Sequence, residues 1–597
     1  MRRFLPLLLL AVCGVLVDAN SLRNPFVYDD IDSIVHNPNL RSLWPPSTAL
    51  AAPAGSGASG RPLVALSLAV NHAFGGLDPV GYHVFNLIVH VLAAWTLFVL
   101  VRGTLLAPRY AGAFGARAAP IALATALLWL VHPLHTAVQD HVVYRNESMA
   151  ALCLLLVLEC VRRLATGGDR RWAVAAVLAN AAGMACKETM VAAPLLALLY
   201  DRTFFAGSWR AALGARRGTY AGLAVGWFVL AACVAMGDRG ASVTQSYADV
   251  TRLDYARTQL GVVAHYLRLA FWPRPLVLDY DWQVARGFRS VALPGLLVGA
   301  LGLGTVLACV RRSGWGVLGA VFFLVLAPSS SFVPLTGAIA ADHRMYLPLA
   351  TVVMAVVLAV ERTMARAGVL RTATGRGLAS AALVVAVLLL GLAARARHRD
   401  WATAVEIWRV TANSAPRNPR AHANLGAALV EAGELDAAIA SLGTALRLQP
   451  DIPAARANLA TAHRLLGLRE AASGSQAAAV AHLDSAIRLQ PNDAVALNAL
   501  AWVLATTPDS TLRDPATALV HANRALAALE ARPPEFLDTL AAARAAAGDC
   551  DGAAIVAHEA ETLARRSGKL DLASKIAARA ALYASGHSYR EARAGAP

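Results

Sequence analysis

The sequence predicts an all-α protein in two parts, a multi-pass helical membrane domain followed by a helical repeat domain. Hydrophobic residues make up 57% of the 597, charged residues only 15%, and mean hydropathy is +0.50. A single water-soluble globule does not have that composition. Long apolar runs recur as far as residue 394 and then stop. Beyond them the chain is alanine-rich with charges sprinkled at helical spacing, the pattern of a soluble helical domain. The expected parts are therefore 1–394 and 395–580, with 581–597, which ends GHSYREARAGAP, read as a disordered tail.

The apolar stretches read as spans at 4–18, 84–101, 119–134, 148–163, 172–187, 189–201, 218–236, 291–310, 315–328, 346–361 and 377–394. That is about eleven crossings, several shorter than the roughly 20 residues of a perpendicular helix. The net charge of +16 comes from arginines in short loops of this half, among them Arg102, Arg109, Arg162, Arg163, Arg216, Arg217, Arg311, Arg312, Arg362 and Arg366. Basic loops between apolar spans are the signature of cytoplasmic loops. No nucleic-acid partner is expected, because no soluble face gathers these arginines with interleaved aromatics. The stretch 256–272 reads as an interfacial or re-entrant helix, since a crossing there would put Arg311 and Arg312 outside. An odd number of spans with a cytoplasmic start places the repeat domain on the periplasmic, extracytoplasmic side of the cytoplasmic (inner) membrane. The first segment also fits the apolar region of a signal peptide; under either reading the loop 19–83 lies outside.

The same sidedness collects the unusual polar residues at the outer ends of spans. They are Asp29 and Asp30 in NPFVYDDIDSIVHNP, the loop HPLHTAVQDHVVYRNES (132–148), Lys187 with Glu188, DYDW (279–282) and ADHRMY (341–346). Ionisable groups at membrane depth mark function or pairing, so one face carries a candidate site. For each, the plainer reading is a helix cap, a turn or an interfacial anchor; Asp32, for example, reads as a cap. Six of the seven cysteines lie in or beside apolar segments, and neither a disulfide framework nor a zinc spacing is present.

In the second half, Asn424-Leu425-Gly426 returns as Asn458-Leu459-Ala460, and Pro416 as Pro450, both 34 residues on. That is the tetratricopeptide period. Gly426, Ala438, Leu442, Ala445 and Pro450 occupy the small, small, large, small and proline positions of one repeat. Ala460, Ala479, Leu483, Ala486 and Pro491 follow in the next after an insertion around LREAASG. A half repeat (Ala404, Trp408, Pro416) precedes these, and weaker copies lie near 494–530 and 535–567. Such arrays bind extended peptides or partner proteins.

Taken in order, FVYDDIDSIVHNPNL, RPLVALSLAVNHAFGGLDPVGYHVFNLIVH, HPLHTAVQDHVVYRNE, CKETMVAAPLLALLYD, YLRLAFWPRPLVLDYDW, ADHRMYLP and RDWATAVEIW resemble the transmembrane and tetratricopeptide-repeat O-mannosyltransferases, members of the GT-C class of polyprenyl-phosphate-sugar-dependent glycosyltransferases. The resemblance covers nearly the whole chain. It departs at VVYRNES, where a glycine-arginine-alanine-acid pattern is expected, and in the small number of repeats. The arginine-rich, lysine-poor composition points to a prokaryotic relative.

The resemblance implies an inverting enzyme, a polyprenyl-phosphate sugar as donor, and a carboxylate in the first outer loop as base. That assigns Asp29 or Asp30, with Asp30 favoured as base and Asp29 orienting it, or the reverse. For the donor phosphate Arg344 comes first, because guanidinium binds phosphate bidentately. Lys187 is second, being the only lysine before Lys569, although it also reads as a partner of Glu188; Arg145, with Glu147 as its partner, is third. His132, His135, His343 and Tyr346 are supporting residues. Those histidines together with His141 fit no familiar zinc spacing, so no metal and no required cofactor are expected. Trp272, Tyr280, Trp282 and Tyr346 read as interfacial aromatics or sugar-stacking surfaces. The expected function is transfer of a hexose such as mannose to Ser/Thr hydroxyls of extracytoplasmic proteins held by the repeats, in contact with membrane lipid. Transfer to a lipid or cell-surface glycan, and a non-catalytic membrane scaffold, are the alternatives.

Overall fold

A computed structural model describes residues 4–237, 250–331 and 338–591. The chain divides into two compact units, Met1–Ser414 and Ala415–Pro597. The described residues contain helices and connecting loops and no strand.

The longer helices of the first unit are α1 (Leu5–Asp18), α2 (Pro62–Gly75), α3 (Pro79–Leu105), α4 (Ala118–Leu130), α5 (Arg145–Ala165), α6 (Arg171–Met184), α7 (Ala193–Asp201), α8 (Trp209–Met236), α9 (Arg252–Phe271), α10 (Phe288–Val310), α11 (Gly314–Leu326), α12 (Pro348–Arg366), α13 (Ala373–Arg399) and α14 (Ala404–Ser414). Many begin at a side-chain cap: Asp78 accepts the Val80 N–H, Ser208 that of Ala211, Thr251 that of Asp254 and Ser313 that of Trp315. Each cap supplies an acceptor to one of the N–H groups a helix start leaves unpaired.

Among the described residues, seven helical segments are long and apolar enough to cross a membrane: Pro79–Leu105, Pro108–Leu130, Glu188–Ala206, Trp209–Met236, Phe288–Val310, Pro348–Arg366 and Ala373–Arg399. The remaining expected spans are also helical. α1 and α11 are apolar but shorter, α6 has only 14 residues, and α5 carries Glu159, Arg162 and Arg163. α10 buries no residue, and α13 exposes Leu388, Leu389 and Leu392 by 58–64%. Apolar surface of that extent turned outward belongs against hydrocarbon, and the first unit is a multi-pass membrane domain. At one end of the bundle Arg312 donates to Gly207 O, Arg202 donates to Cys309 O, and Arg362 lies over the rings of Phe114 and Trp315. α9 packs through Tyr255, whose hydroxyl donates to Ser329 O, and Tyr266, whose hydroxyl accepts the Ala341 N–H.

The half repeat is part of this unit. Trp401 and Trp408 are buried, Trp408 meets Tyr28 edge to face at 5.4 Å, and Thr411 Oγ1 accepts the Leu278 N–H. The compact unit therefore runs past residue 394 to Ser414.

The second unit consists of paired helices α15 (Pro419–Glu431), α16 (Leu435–Leu448), α17 (Pro453–Ala472), α18 (Gln476–Leu489), α19 (Ala494–Thr506), α20 (Pro515–Ala527), α21 (Pro534–Ala546) and α22 (Cys550–Arg566), closed by α23 (Leu570–Ala584). The LREAASG insertion lengthens α17 to 20 residues against 13 in α15. Seven residues are close to two helical turns, so the packing face is preserved. A Cβ on Gly467 would sit 2.7 Å from Leu483 Cγ, as one on Gly426 would sit 2.3 Å from Leu442 Cγ. The close-packing position of the second repeat is thus Gly467 rather than Ala460. The tail is ordered further than expected: α23 runs to Ala584, and residues 588–591 are half-buried against α19 because Glu591 and Tyr589 find partners there. Residues 592–597 lie outside the described residues.

Gly426→Val overfills the α15/α16 contact and is expected to destabilise the repeat unit by about 1–3 kcal/mol. Gly443→Ala, in a helix position whose nearest outside atom is an Arg447 nitrogen at 3.5 Å, is expected to stabilise it by roughly 0.5–1 kcal/mol. Thermal melts of the two variants check both signs.

Candidate active site

Five separated segments converge at the end of the bundle opposite the arginine cluster: 28–32, 57–61, 141–147, 187–188 and 343–344. The meeting is built on Asp30. Its fully buried carboxylate accepts the N–H of Val143 at 2.8 Å, of Val142 at 3.1 Å and of Val27 at 3.5 Å. His141 Nε2 lies 3.7 Å from the same carboxylate. Burial raises the Asp30 carboxyl above its usual range, and the three N–H groups pull the other way. Gly57 closes over this turn, since any Cβ there would lie 3.0 Å from Val143 Cγ2. Tyr28, at φ 54°, turns the chain just before the pair, a conformation that costs a non-glycine residue roughly 1–2 kcal/mol.

With Asp30 pinned inward, Asp29 takes the other side. It is half-buried and has no hydrogen-bond partner among the described residues. Burial raises its carboxyl to about 6, Arg61 opposing the rise and Asp32 adding to it. Arg61, which the sequence reading did not single out, also pairs with Glu188 at 3.3 Å. Lys187 donates to Glu147, not to the adjacent Glu188. At the extended Lys187, φ −160° and ψ 150°, successive side chains point apart. Charges therefore alternate through the site: Asp29, Arg61, Glu188, Lys187, Glu147.

Aromatic rings brace this row. Tyr144 lies between His141 and His343, each 4.0 Å away by ring centroid. His343 Nε2 is 3.9 Å from Glu147 Oε1. Burial, then Lys187 and Arg344, hold His343 well below its ordinary value, and burial lowers His141 to about 3. Both are neutral near pH 7.

Several sequence-predicted residues have other employment. Arg344 is buried and donates to the carbonyls of Ser329, Ala338 and Ile339 at 3.4, 2.6 and 2.9 Å; its guanidinium is occupied by these carbonyls and does not face outward. Arg145 is fully buried, donates to Ser67 Oγ, Asn71 Oδ1 and Tyr82 O, and lies over Phe85, so it neither pairs with Glu147 nor reaches a phosphate. His132 caps the next turn through Leu134 N–H, and His135 is buried among Trp129, His90 and Tyr346, away from the carboxylates. Tyr346 is 1% exposed with its hydroxyl on His90 Nδ1 at 2.6 Å, which excludes a sugar-stacking role. Tyr280 gives its hydroxyl to Asp342 at 2.5 Å and Trp282 packs on His265, whereas Trp272 is 66% exposed. Among the described residues no three His, Cys, Asp or Glu side chains group as metal ligands.

A second cluster holds the loop after α1 to α13. His398 places Nδ1 2.6 Å from Asp140 Oδ2 and Nε2 3.1 Å from Asp18 Oδ1. Asn24 donates to Asp140 Oδ1 at 2.7 Å and to His398 O at 3.0 Å. Burying these carboxylates is tolerated because each finds a partner.

No family model matches the chain. It is similar to Protein O-mannosyl-transferase Tmtc1 of Drosophila melanogaster, 33% identical over 192 residues, or 30% of this chain and 21% of that protein. Longer matches are to TMTC4 of Mus musculus, 26% identical over 72% of this chain and 65% of that one, and Tmtc3 of Drosophila melanogaster, 24% identical over 77% and 56%. The chain thus spans between about a fifth and two thirds of the length of these relatives. A thermophilic TPR protein of Thermus thermophilus covers 33% of this chain and 95% of its own, at 22% identity and a TM-score of 0.20; the repeat assignment rests on the period and the paired helices themselves. Along most of its length the chain is thus similar to proteins named protein O-mannosyl-transferases.

Proposed function

We propose that the chain is a GT-C-type glycosyltransferase that moves a hexose, mannose by analogy with the relatives' names, from a polyprenyl-phosphate donor to Ser/Thr hydroxyls of proteins outside the cytoplasmic membrane. The observation that carries this is Asp29: a half-buried carboxylate without a hydrogen-bond partner, raised to about 6, near the cation Arg61, with Lys187 further along the same row of charges. A general base of that strength is largely ionised at neutral pH and still basic enough to accept a hydroxyl proton.

In the proposed reaction the acceptor oxygen attacks the anomeric carbon from the face opposite the phosphate, and its proton passes to Asp29. The bond from anomeric carbon to phosphate oxygen breaks, and the phosphate leaves with the electron pair. Arg61 and Lys187 face the growing charge. Asp30 is a positioning residue, which reverses the order favoured from the sequence. The repeats present the acceptor protein.

Asp29→Asn is expected to lower kcat by about 10²–10⁴-fold without lowering the melting temperature. Asp30→Asn leaves one oxygen to accept but turns an amide N–H toward at least one backbone donor, and is expected to lose roughly 1–3 kcal/mol of stability, with activity falling as the folded fraction falls. Mass spectrometry of glycopeptides, together with melting curves, separates the two. Wild-type levels of adduct with Asp29→Asn would overturn the assignment. Since only the ionised carboxylate can take the proton, the rate is expected to climb with pH up to about 6 and level off above it. Arg61→Ala removes a charge that holds this carboxyl down, so the acid limb is expected to move to higher pH. An unmoved limb would detach Arg61 from the base.

A further inference from the structure

The chain does not end with its last helix. Gly586, at φ 82°, turns it back, with the Gly586 and His587 N–H groups closing on Tyr583 O and Leu582 O. Residues 588–591, Ser-Tyr-Arg-Glu, then run without helical structure along α19, the first helix of an earlier repeat pair.

The contacts made there are those of a bound peptide. Glu591 accepts the Trp502 indole N–H at 2.6 Å on one carboxylate oxygen and the Gln476 amide at 3.3 Å on the other. Its own N–H donates to Thr506 O at 2.9 Å, and Arg590 donates to Ala505 O at 3.0 Å. The Tyr589 ring sits 5.9 Å from Trp502, and the Arg579 guanidinium covers both rings at 5.4 and 5.3 Å. Arg579 is itself locked by two hydrogen bonds to buried Asp538. A main-chain hydrogen bond from Glu591, side-chain hydrogen bonds to and from the array, an aromatic slot and a carboxylate receiver are together the means by which extended peptides are recognised. Apart from Gln476 at the start of α18, the side chains involved lie on α19, α21 and α23, the first helices of successive repeats, and stacked repeats use such extended surfaces for binding.

We infer that residues 588–591 are an intramolecular ligand of the repeat array, seated where a partner peptide with an aromatic residue two positions before a carboxylate docks. A tethered segment sees its own site at an effective concentration on the order of millimolar. It therefore excludes weak partners and yields to those that bind better. The inference rests on the second unit alone and stands whether or not the first is a glycosyltransferase.

The test uses the full-length protein in detergent, intact and ended after His587, which keeps the closing turn of α23. The probe is a fluorescent peptide of residues 588–597, SYREARAGAP. It is expected to bind the shortened chain saturably and the intact chain at least about tenfold more weakly, because the tethered copy competes. Peptides carrying Glu591→Gln or Tyr589→Ala are expected to bind the shortened chain at least about tenfold more weakly, as loss of a charge-assisted bond or an aromatic contact requires. Glu591→Gln in the intact chain, which removes no helix residue, should raise uptake of the wild-type peptide and covers the case in which the shortened chain fails to fold. No saturable binding to a folded shortened chain, equal binding to intact and shortened chains, or indifference to Glu591 in both formats would each overturn the proposal. The segment would then be only a cap on α19.

Discussion

The site depends on one buried carboxylate. Asp30 joins the loop that follows α1 to the turn between α4 and α5 by accepting two successive backbone N–H groups, those of Val142 and Val143. Backbone donors have no rotamers, so this contact holds the two segments in one register. Because neighbouring side chains in this turn diverge, fixing Asp30 inward presents Asp29 outward. A half-buried carboxylate without a partner is costly in isolation; here Arg61 offsets part of that cost.

The rest of the site extends that logic. Arg61 needs Glu188, Lys187 needs Glu147, and each pair is partly or largely buried, so the row of alternating charges is held by mutual need. Such a row is close to neutral in sum and has cations beside an anion, the combination that an acid–base step with a phosphate leaving group requires. The neutral rings of His141, Tyr144 and His343 pack against it and limit its movement. Behind it, the His398, Asp140 and Asp18 cluster ties the ends of α1 and α13 together.

How much of this was legible depended on whether a residue's role was local. Asp29, Asp30, Lys187 and the 141–147 loop stood out because charged groups beside apolar runs are conspicuous, and the structure gathers them. Arg344 and Arg145 stood out for the same reason and were misread: an arginine that binds phosphate and one that ties down backbone carbonyls look identical in sequence. Glu147 was paired with the wrong cation because sequence proximity suggested Arg145, whereas the contact comes from Lys187, 40 residues on. Arg61 lay in an unremarkable glycine- and proline-rich loop, and only folding brings it beside Asp29.

The sequence by itself determined the two-part architecture, the apolar segments and the 34-residue repeat, because hydropathy and period are properties of a stretch read alone. It also made the adjacent aspartates Asp29 and Asp30 conspicuous. Only the tertiary structure decided which of the two faces inward, which carboxylate each cation meets, that α17 absorbs its insertion as two added turns, and that the last residues fold back on α19. Those outcomes turn on which groups come within hydrogen-bond distance once the helices pack, and that is a non-local property no window of the chain contains.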